Sequence, residues 1–106
     1  MMKEKFELIL CIVNSGFSEL VMSCARDCGA KGGTVIQARG TAKDEVEKAF
    51  NISIHPEKEI VMILVNKTIK EAVLHEVYKN VGLDSPGQGI AFSVPVDDVV
   101  GIDTKK

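Results

Sequence analysis

The chain has 106 residues, 45% hydrophobic and 26% charged, with a formal net charge of −2. That is one compact domain with apolar material enough for a core, and it excludes an extended disordered protein. The slightly acidic balance and the absence of Trp leave no electrostatic footprint for nucleic acid or an anionic membrane, and no aromatic platform for stacked bases.

The N-terminal stretch to Val13 begins charged and turns apolar. It is too short to cross a membrane and has no small-residue cleavage site, so a cytoplasmic protein is expected. The three cysteines, an odd number without a secretion signal, argue against a disulfide framework. Phe6 to Val13 is an apolar run broken only by Glu7 and reads as a buried strand. Asn14-Ser15-Gly16 ends it. Ser18 is placed to cap a helix in which Leu20, Val21, Cys24, Ala25 and Cys28 recur at helical spacing, and Gly29 stops it. Cys24 and Cys28 read as small packing groups rather than as half of a metal site.

Thr34 to Arg39 is a second strand. Gly40 to Lys58 has no clean period: Ala42 to Phe50 suits a short helix, Asn51 to His55 alternates, and Pro56 ends the segment. It reads as an excursion between strands, of the kind that is functional when it occurs in a compact domain. Ile60 to Val65 is a third buried strand. Thr68 with Glu71 three residues on forms a capping-box pattern, and Ile69, Ala72, Val73, Val77 and Val81 line one face of the helix that follows. Gly82 ends it. Asp84 to Val96 then passes from turn residues through Gly87-Gln88-Gly89 into a strand, Ile90 to Val96. Glycines there allow backbone to approach a ligand, and successive N–H groups can form an anion nest; the same pattern also suits a tight loop between helix and strand. Asp97-Asp98 is a turn, and Val99 to Ile102 suits a short final strand.

The order β-α-β, excursion, β-α-β specifies an α+β, ferredoxin-like βαββαβ sandwich: one antiparallel sheet with two helices on one face, as a single domain over residues 1–106. The strands are apolar at nearly every position, so the face away from the helices also needs cover. A homo-oligomer packing sheet against sheet supplies it.

Gly33-Thr34-Val35 with Arg39-Gly40, Gly87-Gln88-Gly89-Ile90-Ala91-Phe92, and Pro95-Val96-Asp97-Asp98-Val99-Val100 together resemble the P-II nitrogen-regulatory signal proteins, from Phe6 to Ile102. The resemblance implies a homotrimer with its sheets inside and adenine nucleotide, ATP, ADP or AMP, as effector in clefts between subunits, with no cofactor required and no metal site. It implies that 40–58 projects toward a target protein, a membrane transporter or metabolic enzyme, in nitrogen metabolism. Carried over by position, Thr34 contacts adenine, Gly40 lines the base or ribose, Leu64 and Val65 pack on the base, and the Gly87-Gln88-Gly89 loop offers N–H groups to phosphate. Gly89→Val is accordingly expected to abolish binding and leave the assembly intact.

The chain departs from that pattern in ways that matter. Ile90 stands where the family has a basic residue after the second loop glycine, and Gly101 and Asp103 stand where it has two arginines. Charge-assisted phosphate contacts are thereby lost, with Arg39, Lys43 and Lys58 as candidate replacements. Residues 40–58 contain neither Tyr nor Gln, so the family's uridylylation acceptor and its magnesium-holding glutamine have no counterpart.

No Ser-His-Asp or Cys-His arrangement can be argued, and an enzyme is not expected. His55 and His75 are the only histidines and read as loop and surface residues. The alternative is a ferredoxin-like small-molecule or metal sensor that binds no nucleotide.

Overall fold

The computed structural model describes residues 5–41 and 56–102. It contains β1 (Phe6–Asn14), α1 (Ser18–Asp27), β2 (Thr34–Arg39), β3 (Glu57–Asn66), a 3₁₀ turn (Lys67–Ile69), α2 (Lys70–Val81) and β4 (Ile90–Val96). The four strands form one sheet in the order β2-β3-β1-β4, every pairing antiparallel. This is the α+β, ferredoxin-like arrangement expected from the sequence.

Strand alternation divides the sheet into two unlike faces. Ile9, Cys11 and Val13 of β1 and Val61, Ile63 and Val65 of β3 are buried with Val21, Met22, Cys24 and Ala25 of α1 and Val73, Val77 and Val81 of α2. The even-numbered residues from Leu8 to Ile12 and from Ile60 to Leu64 point the other way, where no element of the described chain covers them. Across that face Leu10 lies between Met62 and Phe92, and Ile12 between Ile60 and Ile90. Ile36 extends the surface onto β2 opposite Ile60. Ile36, Ile90, Phe92 and Val94 are 40–53% exposed. Among the described residues the sheet therefore carries an apolar face without a partner.

Several local expectations are corrected. Helix α1 is not capped by Ser18, which is its first helical residue. The carboxylate of Glu59, reaching over from β3, accepts the N–H groups of Gly16 and Ser18 at 3.1 and 3.3 Å. Its buried face is turned to include Met22, and Leu20 is 40% exposed. At its other end Gly29, at φ +108, donates to Arg26 O while Ala30 donates to Ala25 O, the paired bonds of a Schellman stop. Thr68 does not cap α2. It lies in the 3₁₀ turn, where Asn66 Oδ1 accepts both its N–H and its hydroxyl at 2.9 Å. Strand β3 begins at Glu57, so Glu57 and Lys58 belong to the sheet and not to the excursion. Val99 to Ile102 is not a strand; Val100 is 95% exposed. The helix and strand expected within 42–55 lie outside the described residues, as does Asp103.

Candidate functional site

The polar chemistry of the described chain collects at the sheet end where β1 finishes and β3 begins. Antiparallel pairing brings Asn14 opposite Lys58 and Gln37 opposite Glu59. Lys58 Nζ donates to Asn14 Oδ1 at 2.6 Å. Asn14 Nδ2 donates to Pro86 O at 2.9 Å and to Gln88 Oε1 at 3.3 Å, and Asn14 N donates to Gly87 O at 2.8 Å. The glycine loop is thus strapped to the last residue of β1. Ser15 N donates to Glu57 O, and Gly40 N to Pro56 O, which brings the two ends of the excursion together beside the loop.

Two charged groups in this region are shaped by their surroundings. Burial pushes the Glu59 carboxyl up, but the N–H groups of Gly16 and Ser18, the Ser18 hydroxyl and the Gln37 amide together more than offset it, and the group titrates below the usual range. Gln37 Nε2 donates to Glu59 Oε2 at 3.2 Å. Partial burial lowers the pKa of Lys58. Among the described residues the one ion pair is Lys79–Glu76, and the group that Lys58 meets there is the neutral amide of Asn14.

The residues singled out in the sequence fall into two groups. Arg39, Gly40, Gly87, Gln88 and Gly89 gather at the Asn14–Lys58 end. Thr34 and Leu64 lie toward the opposite end, on the open face, Thr34 opposite Met62 and Leu64 opposite Leu8. From Thr34 to Arg39 is five residues of strand, roughly 17 Å at about 3.3 Å each. Leu64 and Val65 cannot act together on one ligand, because neighbours in a strand face opposite ways. Leu64 is half-buried on the open face, and Val65 is buried in the core.

The glycine loop differs from the expectation too. Gly87 and Gly89 are buried. A Cβ on Gly87 would collide with Val81 Cγ1, and one on Gly89 would lie 2.5 Å from Val81 O and 2.8 Å from Val13 Cγ1. Gly89 N donates to Val81 O at 2.7 Å, so that N–H is engaged inside the subunit rather than aimed at phosphate. These glycines let the loop pack on α2 and β1. The Gly89→Val experiment would therefore disturb the subunit itself.

A groove of about 430 Å³ lies between α2 and β4, lined by apolar side chains including Leu74, Val77, Leu83 and Ile90. Of the sequence candidates it touches only Gly89. His75 is exposed on α2, and His55 lies outside the described residues. Sequence reasoning missed Asn14 and Glu59. Asn14 reads in sequence as part of a turn, and Glu59 falls unassigned between the excursion and the third strand; what distinguishes them is contact across more than 40 positions of chain.

A family model described as Nitrogen regulatory protein P-II matches residues 6–106. The chain belongs to the P-II family. Solved structures share the fold of this P-II chain. PII of Arabidopsis thaliana, bound to citrate, is 26% identical, with 98% of this chain and 86% of that one covered at a TM-score of 0.70. GlnK of B. subtilis, solved as a complex with ATP, is 17% identical over 96% of this chain and 92% of that one, TM-score 0.71. CPII, a nitrogen regulatory PII-like protein of Thiomonas intermedia K12 bound to ADP, AMP and bicarbonate, is 13% identical over 92% of this chain and 97% of that one, TM-score 0.65. The P-II chain is by family a regulatory protein. Among its described residues no helix is long and apolar enough to cross a membrane.

Proposed function

We propose that this P-II chain is a cytoplasmic, homotrimeric signal protein, a single domain that binds an adenine nucleotide between subunits. Through residues 40–58 it conveys the state of that site to a transporter or metabolic enzyme, in nitrogen metabolism. The observation that carries the proposal is the unpartnered apolar sheet face. It ends at a polar corner where the glycine loop, Lys58 and the two ends of the excursion meet. Burying an apolar side chain contributes about 1.5–3 kcal/mol, so a face of this kind favours packing against further copies.

The two groups of candidates fit a shared cleft. Thr34 and Leu64 of one subunit form the base side. Arg39, Gly40 and the loop Gly87-Gln88-Gly89 of its neighbour form the phosphate side, with Lys58 as the cation that Ile90 does not supply. Nucleotide-bound relatives support the ligand class: B. subtilis GlnK with ATP and the Thiomonas protein with ADP and AMP.

One cation in place of several makes the dependence on phosphate number shallow, because each charge-assisted hydrogen bond contributes about 1.5–3 kcal/mol. Calorimetric titration with AMP, ADP and ATP tests this. Saturable binding of about one nucleotide per chain is expected, with the three ligands within about tenfold of one another, a span of about 1.4 kcal/mol. Absence of saturable binding at millimolar nucleotide would overturn the ligand assignment and favour a small-molecule or metal sensor on the same fold.

A further inference from the structure

Asn14 is 4% exposed, and both ends of its amide are in use. Its backbone and side chain bond three consecutive loop residues, Pro86 through O, Gly87 through O and Gln88 through Oε1. Gln88 sits at φ +47, a backbone conformation that a non-glycine residue keeps only when its surroundings fix it. The same amide takes the Lys58 ammonium on its Oδ1 at 2.6 Å. An apolar side chain at this position would leave two loop acceptors and one ammonium without their buried partner, a costly arrangement.

We infer that Asn14 is the positioning residue of the glycine loop. It fixes the path of Pro86–Gln88 and holds Lys58 against it, so that the anionic end of a ligand meets a preset surface. Because Lys58 is the second residue of β3, which follows the excursion, the same amide ties the loop to the base of the partner-facing segment. The affinity part of this inference rests on the nucleotide reading above; the positioning part does not.

The test uses the full chain in its native assembly. Amide exchange is followed at Gln88 and Gly89, whose N–H groups donate to Ser85 O and Val81 O, and at Ile9 and Ile63 in the sheet. ADP and AMP are titrated in parallel. Asn14→Ala is expected to speed exchange at Gln88 and Gly89 and leave Ile9 and Ile63 unchanged, while ADP affinity falls about tenfold. Asn14→Asp keeps an acceptor for Lys58 but neutralises its charge, and is expected to weaken ADP more than AMP. An asparagine that served stability alone would weaken both ligands equally. Gln88→Ala removes one arm of the strap from the loop side and is expected to give a smaller shift in the same direction, so a poorly folding Asn14→Ala does not end the experiment. Unchanged exchange at Gln88 and Gly89 in Asn14→Ala together with unchanged exchange at Gly89 in Gln88→Ala, or equal acceleration of loop and sheet, would overturn the inference. If the wild type binds no ADP, the nucleotide reading and the affinity part fall together, and exchange at Gln88 and Gly89 alone decides the positioning part.

Discussion

Glu59 shows how one side chain can hold three elements. From β3 it takes two N–H groups at the start of α1 and the amide of Gln37 on β2. The helix start is a favourable place for a carboxylate because the unpaired N–H groups there carry partial positive charge. Glu59→Gln is expected to cost about 1–2 kcal/mol, since hydrogen bonds to a charged acceptor contribute more than neutral ones. The pH dependence follows from the lowered titration of Glu59 in the folded chain. Its contribution is complete above the unfolded value of about 4.3 and is lost as pH falls through the lower folded value. Urea unfolding of wild type and Glu59→Gln across this range should therefore show a gap at neutral pH that closes in acid. A gap independent of pH would contradict the role given to the carboxylate. Nothing near Glu59 in sequence announces this contact: Lys58-Glu59 looks like the solvated end of an excursion until β3 is paired on both sides.

At the scale of elements, what was legible was what repeats. Continuous apolar runs for the strands and period-3.6 spacing for the helices gave the order, the topology and most of the core, because burial imposes such patterns on residues close in sequence. The ends were less legible. Ser18 and Thr68 satisfy the local pattern for helix caps, yet Glu59 and Asn66 hold those places, one from another strand and one from two residues upstream. Strand β3 extends back to Glu57 because Ala38, Arg39 and Asn14 pair with its charged first residues, and charge there masked the strand. Val99 to Ile102 has strand composition but no strand beside it among the described residues. The glycine loop joins α2 to β4 by packing, and this gives a prediction. Gly89→Ala places a methyl against Val81 O and Val13 Cγ1 and should destabilise the subunit by about 1–3 kcal/mol, the usual cost of overpacking. Denaturant unfolding checks this, and an unchanged midpoint would show that the loop moves aside freely. Loss of nucleotide binding in such a variant would say little about phosphate contact.

For the whole molecule, the sequence indicated a sheet apolar on both faces, and the described residues cover only one of them. The candidate site was legible as a set of residues and not as a place. Thr34 and Leu64 stand toward one end of the strands, while Arg39, Gly40 and the glycine loop stand at the other. Spacing along a chain cannot say which copy supplies which side of a cleft. The same open face that calls for further copies also carries Thr34 and Leu64, so assembly and site formation are one event in this account. The mass of the protein in solution at micromolar concentration, measured by light scattering after size exclusion, tests that claim most directly. The account predicts a single species of three times the 11.5 kDa chain mass; a monodisperse species of one chain mass would contradict it.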